Sequence, residues 1–347
     1  MAGPVAGGGG EQLRRFRRLA DLTALVTFLL IVVGGIVRVS ESGLGCGPGG
    51  SGTKGWPLCG GQVIPLVGNE NRVIEFSHRF LATVVVVLIG LLCWRAYKGL
   101  RAGHGWAFRG SLIAGVLVLA QAGLGGLTVE HSLAEELVAA HLGTAMLLLG
   151  LVLWLGAKAR SEASVESGGA VSSPVRGLKP YAATAAVLLL CAIVAGGYMA
   201  GTEERGTGEV GPDVAGAHMA CGKMFPECGS GKFLPFGNNR LTDIHLTHRV
   251  FVYTATIAII VLLLVAFARG SRDRLLALAA LLLLCQFMLG ALNVWLGEHG
   301  PLIVAHLTTG ALLWATVISI AYKLAWLPSG APSRERAPRA EASAAAA

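Results

Sequence analysis

Four histidines hold most of the chemical potential of this 347-residue chain: His78, His141, His248 and His306, each in an otherwise apolar stretch. They come in matched pairs. Ala140-His141-Leu142-Gly143-Thr144 recurs 165 residues later as Ala305-His306-Leu307-Thr308-Thr309, and Ser77-His78-Arg79 recurs 170 residues later as Thr247-His248-Arg249. An ionisable group in a membrane-type stretch is costly and marks function by default. A single histidine there could simply be satisfied by a neighbouring helix. Four at one depth, in repeat-related pairs, point instead to metal or haem ligation. Imidazole is a common axial ligand of haem iron, and four-helix bundle cores are established cofactor sites. The pairing predicts two sites, His78 with His141 and His248 with His306. A zinc site would need third and fourth ligands at the same depth, and neither half supplies them.

The halves differ three residues before the first histidine of each pair. Ile74-Glu75-Phe76-Ser77-His78 carries a carboxylate where Ile244-His245-Leu246-Thr247-His248 carries an imidazole. A spacing of three places both groups on one helix face. Glu75 then either takes up protons or stabilises positive charge near a reacting substrate, or caps the helix N-terminus, where the dipole favours it. His245 either supports the neighbouring histidine or is interfacial. Arg79 and Arg249 follow the two histidines directly. They either neutralise haem propionates or snorkel to water. Glu130, His131, Glu298 and His299 do not align between the halves and read as loop residues.

These residues need apolar helices to hold them. The chain is 54% hydrophobic and only 14% charged, whereas soluble domains carry roughly 25% charged residues. Eight stretches near 19–38, 78–97, 107–128, 137–157, 181–201, 247–268, 274–296 and 302–323 reach the length of about 20 residues that a membrane helix needs. The basic run Arg14, Arg15, Arg17 and Arg18 ahead of the first span fits a signal peptide or a twin-arginine export signal. The long apolar stretch, the lack of a small-residue cleavage site and seven further spans favour an uncleaved helix. One side of the membrane carries 19 of the 28 Lys and Arg against 7 of the 20 Asp and Glu. That side is predicted to be cytoplasmic, with both termini on it. The net charge of +8 is therefore a topology signal and not a nucleic-acid footprint.

The repeat extends beyond the histidines. Gln121-Ala-Gly-Leu-Gly-Gly-Leu-Thr-Val129 resembles Gln286-Phe-Met-Leu-Gly-Ala-Leu-Asn-Val294, and Gly34-Gly35 and Gly196-Gly197 close the first and fifth spans alike. Four spans per half give both halves the same sense, so a pseudo-twofold axis along the membrane normal should relate two four-helix bundles. The predicted organisation is a cytoplasmic tail at 1–18, a first half at 19–157, a linker at 158–180, a second half at 181–323 and a disordered tail at 324–347. The glycine run near the N-terminus is also predicted to be disordered. Two outer loops, about 39–77 and 202–246, each carry two cysteines. An oxidising outer compartment predicts disulfides Cys46–Cys59 and Cys221–Cys228, as staples or as redox-active pairs. The alternative for the second loop is a zinc site from Cys221, Cys228 and His218. Cys93, Cys191 and Cys285 read as packing residues within spans.

These features together resemble the haem A synthase family over about 19–323. The resemblance is carried by the eight spans, the duplication, the Gly-rich loop with Trp56-Pro57-Leu58-Cys59, the Glu75-Phe76-Ser77-His78-Arg79 motif and the other three histidines. It implies an enzyme that oxidises a ring methyl of haem O to a formyl group, giving haem A for terminal oxidases. It further implies His78 and His141 as ligands of the substrate haem, and Glu75 as the essential glutamate beside the reacting group. His248 and His306 would hold a resident haem b that moves electrons. Cys46 and Cys59 match a pair implicated in activity or haem transfer, and Cys221 and Cys228 match a structural disulfide. A haem O synthase is the implied partner, and the lipid bilayer the setting. The first cysteine pair departs from the family, since Gly47 to Leu58 separates them, a longer segment than usual. With no Ser- and Arg-rich leader, a bacterial plasma membrane is predicted over a mitochondrial one; the sequence sets no oligomeric state. The rival readings are a di-haem cytochrome b without substrate chemistry, a membrane thiol–disulfide oxidoreductase, and, last, a transporter.

Overall fold

The computed structural model describes residues 8–65, 69–166, 175–202, 216–229, 231–297 and 299–326. Among them the regular structure is helical, with no strand beyond two isolated bridges, Cys59 with Gln62 and Cys228 with Lys232. The long helices are α1 (Gly8–Val39), α2 (Glu70–Arg95), α3 (Gly105–Glu130), α4 (Glu135–Glu166), α5 (Lys179–Gly201), α6 (Arg240–Ala268), α7 (Arg274–Leu296) and α8 (Gly300–Ile320). All eight are long and apolar enough to cross a membrane. Hydrocarbon offers no partner to an unpaired N–H or C=O, so an apolar chain crossing it must close its hydrogen bonds within each segment, as a helix does. Large apolar side chains such as Val87, Val116, Leu119, Val187, Ile257, Leu264 and Leu284 point outward, as a lipid-facing surface requires.

Local signals fix several of the ends. Asn69 and Asn239, 170 residues apart, accept hydrogen bonds from the Arg72 and Thr242 amides at 3.0 and 2.8 Å, capping α2 and α6 alike. Asp273 caps α7 through the Leu275 amide at 3.0 Å. Pro180 and Pro301 open α5 and α8, where a missing N–H is harmless. α2 and α6 begin well before the apolar stretches that betray them, so His78 and His248 lie inside helix.

α1 also begins earlier than its apolar stretch, at Gly8, so the segment from Gly8 to Arg18 is helix where a tail with a disordered glycine run was expected. The reason is packing. Leu13 and Phe16 are fully buried and pack with Leu92, Ala96, Ala107, Leu155 and Ala159 at the predicted cytoplasmic ends of α2, α3 and α4. The basic residues between them sit on the outward face of the same turns. α4 likewise runs on past residue 157 to Glu166. Residues 167–174 of the expected linker, residues 1–7, most of the expected C-terminal tail and Glu298 lie outside the described residues.

In the first half α1 packs on α2 and α4, and α3 packs on both α2 and α4. In the second half α5 packs on α6 and α7 on α8, while α6 and α7 scarcely touch directly. The halves meet where α4 packs on α5, α1 on α8 and α4 on α8. Glycine makes these crossings close. Gly35 of α1 faces the Leu307 side chain of α8, and Gly197 of α5 faces Leu142 of α4. The Trp314 indole donates to the Met146 carbonyl at 2.8 Å, and the Tyr322 hydroxyl to the Gly150 carbonyl at 3.0 Å. At the loop-bearing ends Arg38 reaches the Ala200 carbonyl at 3.1 Å through Nε, and Arg240 pairs with the buried Glu135 at 2.5 Å.

A Cβ on Gly201 would stand 2.5 Å from the Glu135 Cα, whereas one on Gly90 would meet nothing within 4 Å. Backbone cannot yield as a flexible side chain does, so Gly201→Ala should destabilise the protein by about 1–3 kcal/mol. Gly90→Ala should be neutral or slightly stabilising, since Ala is the better helix former. Thermal unfolding in detergent distinguishes the two, with a lowered Tm expected only for Gly201→Ala.

Candidate functional site

The helix starts set the depth of the histidines. His78 and His248 stand eight residues after the first residues of α2 and α6, and His141 and His306 six residues after those of α4 and α8. At 1.5 Å per residue all four lie roughly 9–12 Å inside the loop-bearing ends. His78 interacts electrostatically with His141, and His306 with His248, so the structure brings each expected pair together.

Each ring lies against a glycine of the preceding odd-numbered helix. A Cβ on Gly34 of α1 would stand 3.2 Å from the His78 Cε1, and one on Gly125 of α3 would stand 3.4 Å from the His141 Cε1. The second half repeats this, with Gly196 of α5 at 2.9 Å from the His248 Cε1 and Gly290 of α7 at 3.2 Å from the His306 Cε1. Any larger residue at Gly34, Gly196 or Gly290 would press on the imidazole, whereas at Gly125 a Cβ would make ordinary contact and only a longer side chain would displace the ring. The sequence offered these glycines only as markers of the repeat. Their contact with the histidines is visible only in three dimensions.

The polar environment of the rings is sparse. His248 Nδ1 lies 3.0 Å from the Ala192 carbonyl. An Nδ1–H bonded to a carbonyl leaves Nε2 as the lone-pair nitrogen, the arrangement found in metal-ligating histidines. The Leu30 carbonyl, 162 residues before Ala192, interacts with the His78 ring outside hydrogen-bond geometry. The Nδ1 atoms of His78, His141 and His306 are buried with no hydrogen-bond partner. Gln121 and Gln286, related by the repeat, attend the other two histidines differently. Gln121 Nε2 donates to the His141 carbonyl at 2.9 Å, with Thr144 Oγ1 on its Oε1 at 3.2 Å. Gln286 Nε2 instead lies 3.2 Å from the His306 ring Nε2. Neither glutamine was singled out as a site residue from the sequence.

Above the histidines the two outer loops are tied down by equivalent residues with different chemistry. Glu75 is 3% exposed; it pairs with Arg79 and accepts the Cys46 amide at 2.6 Å. Its counterpart His245, also 3% exposed, donates from Nδ1 to the Ala217 carbonyl at 2.8 Å. His245 bonds the short 3-10 turn, Ala217–Met219, that precedes Cys221, whereas Glu75 bonds the first cysteine itself, just after the 3-10 turn Ser42–Leu44. His245 is therefore a buried loop anchor and not an interfacial group. Arg79 donates to the Gly55 and Leu58 carbonyls at 2.7 and 2.9 Å. Arg249, 4% exposed, donates to the Met224, Pro226 and Glu227 carbonyls at 2.9, 3.1 and 2.8 Å. Snorkelling is thus excluded for Arg249, whose Nε remains a buried donor without a partner.

Cys46 bonds Cys59 and Cys221 bonds Cys228, each with Cα atoms 4.4 Å apart. The second disulfide uses both sulfurs that a zinc site with His218 would need. His218 is itself buried beside Arg38, and burial, reinforced by that positive charge, pushes its imidazole down to about 3. It is neutral at pH 7. His131 caps the end of α3 and His299 the start of α8, with Glu130 in the last turn of α3, as loop-edge residues would be.

The chain resembles known proteins over most of its length. A family model described as cytochrome oxidase assembly protein matches residues 17–318. A protein of Shouchella clausii named Heme A synthase is 30% identical over 256 residues, covering 72% of this chain and 74% of the relative. Another of that name, from Halalkalibacterium halodurans, is 25% identical over 314 residues, covering 88% of this chain and 96% of the relative. The matched span takes in six of the eight membrane-crossing helices whole and most of the other two, both disulfide loops and the four glycine-backed histidines, and the chain therefore belongs to the haem A synthase family of cytochrome oxidase assembly proteins.

Proposed function

We propose that this protein is a haem A synthase that oxidises a ring methyl of haem O to the formyl group of haem A, as its relatives' names suggest. The observation that carries the reading is the fourfold contact of a histidine ring with a helix glycine, in two pairs, with a buried carboxylate beside one pair only. The residues suit a haem at each pair. The imidazoles are held by packing, their Nδ1 atoms make at most a carbonyl contact, Gln286 would yield the His306 Nε2 to iron, and Arg249 Nε is a buried donor ready for an anionic group such as a propionate. The helix contacts support a pseudo-twofold arrangement, because exchanging the halves turns the α4–α5 contact into α8–α1 and Gly35–Leu307 into Gly197–Leu142.

His78 and His141 hold the substrate haem in this reading, and His248 and His306 hold haem b. The bound haem b supplies one-electron transfer. Glu75 stands one helical turn before His78, on the same face. Its carboxylate, fixed by Arg79 and the Cys46 amide, is positioned to accept protons or to stabilise positive charge next to the reacting ring. His245 gives the second half no such group. Arg79 holds the first loop over the substrate pair, as Arg249 holds the second. The substrate is supplied by an enzyme that makes haem O, and the excess of basic residues on one side supports both termini facing the cytoplasm of a bacterial plasma membrane.

Pigment extracted after expression beside a haem O source should contain haem A, and its absence would overturn the assignment. Glu75→Ala should keep b-type haem while haem A formation falls about 100-fold or more, the usual size of a lost acid–base group. Continued full production would favour a di-haem cytochrome without substrate chemistry. His248→Ala and His306→Ala should each lose the b-type absorbance of the purified protein. Gly290→Leu should lower that absorbance by displacing His306. Gly123→Leu, where a Cβ meets nothing within 4 Å, should leave it unchanged.

A further inference from the structure

Each outer loop inserts one aromatic ring towards the helix pair beneath it, but only the second ring has aromatic company. Phe225, between Cys221 and Cys228, has its centroid 6.5 Å from Tyr253 of α6, and 5.7 and 6.2 Å from Phe287 and Trp295 of α7. The Trp295 indole donates to the Phe225 carbonyl at 3.3 Å, and the Arg249 guanidinium lies 5.3 Å from the Phe225 ring centroid. Phe233 stacks on the far side at 5.8 Å from Tyr253. α6 and α7 scarcely touch otherwise, so these rings join the two helices. They do so beside the histidines, since Phe287 lies three residues from Gly290, which backs His306, and Tyr253 five residues further into α6 than His248, while Trp295 stands at the outer end of α7.

The repeat offsets place Trp56, Thr83, Ala122 and Glu130 at the equivalent positions of the first half. Trp56 rests on Gly126, where a Cβ would stand 2.8 Å from the indole. It is 39% exposed and has no ring partner among the described residues. Non-aromatic side chains, Thr83, Ala122 and Glu130, thus stand where the second half has rings, and α2 packs directly on α3.

Resting on the haem reading above, we infer that the Phe225 wedge is the positioning element that retains the haem of the second half. A planar group leaving sideways between α6 and α7 must displace several interlocked rings that are anchored by a disulfide loop and by Arg249. The effect lies in release rate, because the wedge is not a ligand.

Haem capture by apomyoglobin from the purified full-length protein tests this. Phe225→Ala should release b-type haem at least tenfold faster than the unaltered protein. Tyr253→Thr combined with Phe287→Ala, which copies the first half and leaves the loop intact, should do the same. In both, the bis-imidazole absorption spectrum of freshly purified protein should be unchanged, which separates loss of retention from loss of ligation. Release within twofold of the unaltered rate in both variants overturns the wedge while leaving the haem assignment standing. A purified unaltered protein without bound haem, or His248→Ala with its haem retained, overturns the assignment and the wedge with it.

Discussion

The site depends on the approach of a bare helix backbone to an imidazole ring. At Gly34, Gly125, Gly196 and Gly290 the missing side chain lets a histidine of the next helix lie in van der Waals contact with its neighbour. Packing of this kind restricts a ring's orientation where polar partners are few; His248 adds the Ala192 carbonyl and His306 the Gln286 amide. The neighbouring glycines extend the same principle between the halves. Gly34 meets His78 while Gly35 meets Leu307, next to His306; Gly196 meets His248 while Gly197 meets Leu142, next to His141. Each Gly-Gly pair therefore touches both sites, one through the imidazole and one through the adjacent leucine.

The loops above show how a duplicated frame comes to hold two different sites. Arg79 and Arg249 do the same job, each clamping the carbonyls around a disulfide loop onto its helix. One turn earlier the frame diverges. Glu75 accepts an amide hydrogen bond and pairs with its arginine; His245 donates to a carbonyl. Both solutions anchor the loop, and only one leaves a carboxylate beside a histidine pair. The same divergence recurs in the rings around Phe225, which have non-aromatic residues as counterparts around Trp56.

Much of this was legible in one dimension. The eight spans follow from apolar length, and the histidine pairs and the cysteine pairs follow from the repeat, because duplication is written directly as matched letters at a fixed offset. The loop contacts of the arginines were not legible. Propionate contact, which stays part of the proposal, and snorkelling were the two readings, and the structure adds loop carbonyls as partners, which a residue count cannot reveal. The early start of α1 was missed for a similar reason: a basic, glycine-led segment reads as a tail until Leu13 and Phe16 find the ends of α2, α3 and α4.

The sequence by itself determined how many helices cross the bilayer, which residues recur and which recurrences break, since these depend on composition and order alone. The tertiary structure decided which glycine backs which histidine, which carbonyls hold each arginine, and that Phe225 joins α6 to α7. Those contacts lie between segments far apart in the chain. They are set by how each helix is rotated and crossed against its neighbours, and no local pattern of residues encodes that angle.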